Sequence, residues 1–218
     1  MKKIYKLLLL VGIFTAGLLT ANVISTKIFT WRGITITVGI FLYPITFAIT
    51  DVVSECYGKE ISKKVVWTGF FANVLMLFFL WLGGVLPPAP FWRYQEAYEV
   101  ILGAVPRITI ASLIAYIVSQ THDVWAFHFW KDKTGGKHLW LRNNLSTIVS
   151  QAIDTIIFIG IAFIGTMPWR ALGVMMLTQY IMKFIFALLD TPVVYWLVAW
   201  VRKDDDSVRK IKNLRFGS

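Results

Sequence analysis

The chain has 218 residues, of which 57% are hydrophobic and only 16% are charged, and its formal net charge is +10. Soluble domains carry about 25% charged residues, and a chain of this size cannot hide so much apolar surface in a globule, so the composition excludes an ordinary soluble protein. The single cysteine, Cys56, excludes an intramolecular disulfide framework and a cysteine-based metal site.

Six apolar runs follow one another along the chain, each of roughly the 20 residues that a helix needs to cross a bilayer. They predict an all-α integral membrane protein with transmembrane helices over residues 4–24, 34–53, 65–86, 107–125, 147–167 and 171–201. The first run follows a basic start, but no clear cleavage site follows it, so we interpret it as a retained helix rather than a signal peptide. Because the helices occupy nearly the whole chain, we expect one transmembrane domain over residues 1–218.

The basic residues are distributed unevenly between the two sides of this arrangement. Most of the 22 Lys and Arg residues lie at the amino terminus, in the loops after helices two and four, and in the tail. By the positive-inside rule, both termini are then cytoplasmic, in the inner or plasma membrane of a bacterium. The positive charge reflects this topology and contact with anionic lipid headgroups, and it requires no nucleic-acid partner.

Polar side chains interrupt the predicted spans, although such groups are costly in hydrocarbon and usually face a bundle interior or a watery cavity. Asp51 and Glu55 share one face of the second helix, either as cavity residues or as interfacial acids paired with Lys59 or Lys63. A stripe on the fourth helix indicates either a lined cavity or hydrogen bonds between helices. It comprises Arg107, Ser112, Tyr116, Ser119, Gln120 and Asp123.

The pattern Ser-Gln-x-x-Asp occurs twice, on either side of the predicted cytoplasmic loop between helices four and five. The first copy spans residues 119–123 and the second spans residues 150–154, on helices that run in opposite directions. Internal repeats are common in transporters, where binding sites lie at the interface of the repeats. We therefore predict that Ser150, Gln151 and Asp154 line a site.

The sixth helix carries Gln179, Lys183 and Asp190 on one face. Lys183 falls near the middle of the predicted span, where an ammonium group needs a partner, and a carboxylate from another helix is the expected one. Such a pair serves either a ligand site or a purely structural role. Asn22 closes the first helix on the outer side, either in the headgroup layer or in an entry vestibule.

The sequence lacks the motifs of membrane enzymes and ATPases. Its three histidines lie in or beside the loop between helices four and five, and neither H-E-x-x-H nor a Walker A motif is present. We therefore expect no enzyme and no cofactor or metal. A secondary carrier, a channel, the membrane subunit of a larger pump and a structural protein with polar helix contacts stay open.

Several motifs, in chain order, resemble the queuosine precursor transporter family. They are Thr20-Ala-Asn22 with Lys27, the segment Tyr43–Gly58 with its Asp51-x-x-x-Glu55-x-Tyr57-Gly58 signature, Arg107 with Ala111-Ser112, the first Ser-Gln-x-x-Asp copy, the segment Leu139–Thr147, the second copy followed by Thr155, and Lys183. The resemblance implies import of 7-deazaguanines such as preQ0, preQ1 or queuine for tRNA modification. It also implies a six-helix fold related to the substrate-binding components of energy-coupling-factor vitamin importers.

The polar residues suit such a ligand. A 7-deazaguanine is flat and has a ring N–H beside an amino group, which one carboxylate can accept together, while an amide pairs with the remaining groups. We expect this acid to be Asp154, Asp51 or Asp123. Lys183 would pair with an acid in one state and be freed in another. The amides of Gln120 and Gln151 and the side chains of Glu55, Asn22, Ser150 and Arg107 complete the predicted substrate-binding set.

One alternative function fits the same residues. The chain could be the substrate-binding membrane subunit of an ATP-driven importer for another vitamin-like heterocycle. In both cases the partners are a small polar molecule and the lipid bilayer, and a homo-oligomer is compatible with the sequence.

Overall fold

The computed structural model describes the backbone of residues 3–133 and 139–216, and their side chains except at 59, 120, 123, 124, 127, 128, 130–132, 139–147, 187, 188, 190, 191 and 204–216. The described chain is largely helical. Its elements are α1 (Lys3–Ile24), β1 (Ile28–Trp31), β2 (Ile34–Thr37), a 3-10 helix (Val38–Phe41), α2 (Tyr43–Tyr57), α3 (Lys59–Val85), α4 (Gln95–Leu102), α5 (Val105–Lys133), α6 (Leu139–Phe163) and α7 (Trp169–Phe216).

Within the described part, four helical segments are long and apolar enough to cross a membrane, and Ile148–Phe163 forms a shorter apolar helix. The four are Lys3–Ile24, Val38–Tyr57, Glu60–Val85 and Gln95–Ser119. Large apolar side chains along α3 are exposed, and Trp67, Phe71 and Phe78 are each more than half exposed. Water would not tolerate such a surface, whereas lipid would. The fold is an all-α membrane protein with several spans.

The predicted helix over residues 34–53 is wrong at its start. Residues 34–37 form β2, which pairs antiparallel with β1 from Ile28↔Thr37 to Trp31↔Ile34. Arg32 and Gly33 form the turn with φ values of 49° and 83°, and positive φ at both positions is the pattern of the type I′ hairpin turn. Residues 34–37 read Ile-Thr-Ile-Thr, and this period-two alternation of β-branched residues favours a strand over a helix.

Other helix ends also differ from the predicted spans. Gly58, with φ 89°, separates α2 from α3, and α3 begins six residues earlier than the predicted start at residue 65. The predicted helix over residues 147–167 ends at Phe163, ahead of a turn in which Gly165 has a φ of 83°. At both places a glycine takes the left-handed conformation that other residues disfavour.

The chain divides into two compact units, here called unit 1 and unit 2. Unit 1 comprises Met1–Ile24, Gly39–Gly83 and Phe184–Ser218, and unit 2 comprises Ser25–Val38 and Gly84–Lys183. The core of unit 1 is a cluster of buried apolar side chains from α1, α2, α3 and α7. Its buried members are Leu10, Phe14, Ile49, Val52, Val53, Val65 and Val201.

Polar contacts tie the helices of unit 1 together. Lys6 is only 2% exposed, and its Nζ donates to the carbonyl of Trp200 at 2.7 Å and lies 5.0 Å from the Trp200 ring centre. Asn22 Nδ2 donates to Asn73 Oδ1 at 2.7 Å, and Asn73 Nδ2 donates to the carbonyl of Gly69 at 2.9 Å. These bonds satisfy buried polar groups that would otherwise be costly.

Unit 2 is built around α5 and α6, which pack side by side in antiparallel orientation. Three contacts define this orientation, and they join Arg107 to Ile161, Ser119 to Asp154 and His122 to Ser150. The residue numbers rise along α5 while those of their partners fall along α6. The start of α7 completes its apolar core. The buried members are Ile108, Ala111, Ile159, Ala162, Phe163, Leu172 and Met175.

We predict that Gly69→Val destabilises unit 1. A Cβ at Gly69 would lie 2.8 Å from Phe14 Cε1 and 2.9 Å from Leu18 Cδ2, so the branched side chain must displace these two side chains of α1 at a cost of about 1–3 kcal/mol. Thermal unfolding in detergent measures the loss. Gly12→Val is the matched control, because nothing lies within 4 Å of a Cβ there. Equal melting temperatures for the two variants would contradict the close packing of α1 on α3.

Candidate functional site

A buried ion pair joins α6 to α7 in unit 2. Lys183 Nζ donates to Asp154 Oδ2, and the two residues are 6% and 8% exposed. The carboxylate from another helix that the sequence predicts for Lys183 is therefore Asp154, and this prediction is confirmed. Such a pair persists out of water only if both charges are well compensated, because each ion loses several kcal/mol of solvation.

Two polar contacts, one helical turn apart, link α5 to α6 beside this pair. Ser119 Oγ lies 3.4 Å from Asp154 Oδ1, a long and weak hydrogen bond, and its hydroxyl also donates to the carbonyl of Tyr116 at 3.1 Å. His122 Nδ1 lies 2.9 Å from Ser150 Oγ. Ser119 and Ser150 are the first residues of the two Ser-Gln-x-x-Asp copies. The two copies therefore face each other across antiparallel helices, so that the first serine of one copy meets the final aspartate of the other.

Gln151 lies between these two contacts in the sequence of α6. Its backbone carbonyl accepts a bond from Thr155 Oγ1 at 2.8 Å. Its side-chain Oε1 is buried and has no hydrogen-bond partner among the described residues. A buried acceptor without a donor is uncommon in a folded protein and calls for an explanation, such as a ligand or a water.

The hairpin β1–β2 contacts α7 one turn before Lys183. Thr178 Oγ1 donates to the backbone carbonyl of Thr35, and Thr37 Oγ1 lies 3.5 Å from Gln179 Oε1, a long and weak hydrogen bond. Thr37 and Gln179 are both buried. The Arg-Gly pair between alternating Ile and Thr residues is the sequence signal that would have predicted this hairpin.

The remaining described residues of the predicted set contact other parts of the protein. Arg107 Nε donates to the carbonyl of Ile161 at 2.6 Å, and its guanidinium also donates to the carbonyl of Ile164, so it caps the carboxyl end of α6. Glu55 pairs with Arg202, and both side chains are more than half exposed. Lys63 pairs with Glu60 at 2.9 Å, and the side chain of Lys59 lies outside the described residues.

The structure brings together only part of the predicted substrate-binding set. Asp154, Lys183, Ser150 and Gln151 lie in unit 2, around the contacts between α5, α6 and α7. In unit 1, Asp51 is exposed on α2, and Asn22 is bonded to Asn73 in the α1–α3 contact. The predicted roles of Gln120 and Asp123 depend on side chains that lie outside the described residues.

Comparison with known proteins agrees with the motif resemblance. The sequence profile of the family described as "Putative vitamin uptake transporter" matches residues 37–197. A "Probable queuosine precursor transporter" of Bacillus subtilis (strain 168) is 37% identical over 193 residues, which cover 86% of this chain and 82% of the relative. The chain belongs to the queuosine precursor transporter family.

Two further relatives are more distant. A "Probable queuosine precursor transporter" of Haemophilus influenzae (strain ATCC 51907 / DSM 11121 / KW20 / Rd) is 26% identical over 161 residues, covering 71% of this chain and 65% of the relative. The "Queuosine precursor transporter" of Escherichia coli (strain K12) is 25% identical over 143 residues, covering 64% of this chain and 58% of the relative. No solved structure matches.

Family membership makes this protein a transporter and not an enzyme. The polar cluster of unit 2 is then the candidate site, because buried polar groups in transporters mark substrate and ion pathways. Asp154, Gln151 and Lys183 all fall within the matched segment 37–197, whereas Asn22 precedes it. Among the described residues, this cluster combines a carboxylate, an ammonium group, hydroxyls and an open amide acceptor.

We predict that Lys183→Met destabilises the transporter by about 3–5 kcal/mol, because it leaves the buried Asp154 charge without its ammonium partner. Replacing both residues, as Asp154→Leu with Lys183→Met, recovers most of the loss. Thermal unfolding of the purified variants measures both effects.

Arg202→Met is the matched control, since it removes one partner of the exposed Glu55–Arg202 pair and changes stability by less than about 1 kcal/mol. If Lys183→Met costs no more than Arg202→Met, the ion pair is not an important part of the fold.

Proposed function

We propose that this transporter imports queuosine precursors, namely 7-deazaguanines such as preQ0, preQ1 or queuine, across the bacterial cytoplasmic membrane for tRNA modification. The observation that carries the proposal is the buried cluster of unit 2, where the Asp154–Lys183 pair adjoins the open Gln151 acceptor. The names of the relatives, which are queuosine precursor transporters, support this ligand class.

The proposal includes a six-span topology with both termini in the cytoplasm. The four apolar helices of the described part would be joined by α6 and α7, which carry the polar cluster. The excess of Lys and Arg at the amino terminus and in the tail supports this orientation. A single transmembrane domain related to the energy-coupling-factor components belongs to the same proposal.

Asp154 is proposed as the acid that reads the guanine-like edge of the ligand. Its two oxygens accept from Lys183 and Ser119 in the structure, and the ring N–H and amino group of a 7-deazaguanine offer equivalent donors. Ligand binding would then exchange one set of donors for another. Gln151 Oε1 would accept from a further N–H group, which gives its buried oxygen the partner that it lacks among the described residues.

Exchange at Asp154 gives Lys183 a role in the transport cycle. An ammonium group that is displaced by the ligand must find another partner or change its position, because a buried unpaired charge is costly. The paired and displaced arrangements are two states whose populations the ligand shifts. Asp51, Glu55, Asn22, Arg107, Gln120 and Asp123 stay predictions as ligand contacts.

Uptake in cells that lack both queuosine synthesis and their own importer tests the function. Expression of this protein should restore queuosine in tRNA when preQ0, preQ1 or queuine is supplied at low concentration. Purified protein in liposomes should also take up the same compound without ATP or partner subunits. Uptake only with added ATPase subunits would favour the alternative of a substrate-binding subunit, and no restoration with any of the three compounds would contradict the proposal.

We predict that Asp154→Asn reduces precursor uptake at least tenfold, because the amide replaces one of the two acceptor oxygens of the carboxylate by an NH2 donor. The protein level in the membrane is measured alongside, so that loss of uptake is separated from loss of protein. Glu60→Gln is the matched control, since this exposed carboxylate is paired at 2.9 Å with Lys63 on the surface of α3. Normal uptake by Asp154→Asn would remove Asp154 from the binding site.

A further inference from the structure

We infer that His122 is a positioning residue of the site: its Nδ1 holds Ser150, and thereby fixes the direction in which Gln151 presents its open acceptor. The inference deepens the proposed function and rests on it. His122 does not belong to the predicted substrate-binding set. The sequence places it only near the loop between the fourth and fifth predicted helices.

The position of His122 follows from the antiparallel contact of α5 with α6. Ser119 makes a long contact of 3.4 Å with Asp154 of α6, and His122, one turn further along α5, makes a shorter contact of 2.9 Å with Ser150. The shorter contact is the stronger restraint on rotation of α6 about its own axis relative to α5. Gln151 directly follows Ser150, so the direction of its side chain depends on this second contact.

The ring of His122 is well placed for such a role. It is half-buried, and its outer side lies against Trp125, whose ring is 5.8 Å away and stacks on Phe129 at 5.5 Å. His122 also lines an open groove on α5 together with Ile117, Val118, Thr121 and Trp125. The Trp125 ring therefore lies beside the imidazole on α5, while the Nδ1 atom of the imidazole contacts Ser150 on α6.

The atom that makes the contact can be tested by exchange of side chains. Asparagine places an amide atom where His Nδ1 lies, whereas glutamine places it nearer to Nε2. We therefore expect His122→Asn to keep the KM for uptake within about twofold of the unmodified protein. His122→Gln and His122→Leu should raise KM about tenfold with little change in maximal rate, because a ligand hydrogen bond is weakened rather than a transport step blocked.

The partner residue provides an independent check on the same contact. Ser150→Ala should raise KM as His122→Leu does, and the double variant should be no worse than either single variant, because both remove one interaction. Thr121→Val is the matched control, since Thr121 is exposed and its hydroxyl bonds only within its own helix, to the carbonyl of Ile117 at 2.7 Å.

A second measurement needs no ligand. In a Cys56→Ala background, a cysteine introduced by Gln151→Cys reports the surroundings of that position through its rate of maleimide labelling. His122→Gln and His122→Leu should change this rate about threefold or more, and His122→Asn should not.

The two proposals fail in different ways. Unchanged KM and labelling in all three His122 variants would overturn the positioning role and leave precursor import standing. Equal defects in all three would also overturn it, since the ring and not the Nδ1 atom would then matter. If the unmodified protein imports none of the three precursors, the proposed function fails, and the labelling rates still decide whether His122 holds α6.

Discussion

The buried pair of Asp154 and Lys183 is the constraint around which unit 2 is organised. Neither charge can be left alone out of water, so α6 and α7 must stay in register at this point. Ser119 donates to the same carboxylate, which extends the constraint to α5. Three helices are thereby fixed by one carboxyl group. A transporter that must later rearrange gains from such a design, because changing the partner of a single group alters contacts to several helices.

This arrangement explains physically why the two Ser-Gln-x-x-Asp copies contact each other. Antiparallel helices bring the beginning of one copy to the end of the other, so each serine meets a residue near the far end of the opposite motif. Among the described side chains, Ser119 meets Asp154 and Ser150 meets His122.

The sequence predicts the helices well, because long apolar runs have few other solutions in a membrane. It also predicts a carboxylate for Lys183, since the cost of a lone ammonium group permits little else. It does not reveal that Asp154 is chosen over the other acids, that Asn73 is the partner of Asn22, or that His122 meets Ser150. Such pairs depend on how each helix is rotated about its axis, and that rotation is set by packing between residues far apart in the chain. The hairpin is missed for another reason. Residues 34–37 lie at the start of a long apolar run, and the run is interpreted as one helix although these four residues alternate with a period of two.

The hairpin β1–β2 also constrains the order in which the protein matures. Thr35 accepts its bond from Thr178, 143 positions later in the chain, so the hairpin emerges long before its support exists. At roughly 5–20 residues per second, about 7 to 29 seconds of translation separate the synthesis of Thr35 from that of Thr178. During that time the edge of β2, with its apolar and β-branched side chains, is available for wrong pairings. A chaperone or the insertion machinery that shields this short segment would therefore matter more for the yield of this protein than for its final stability.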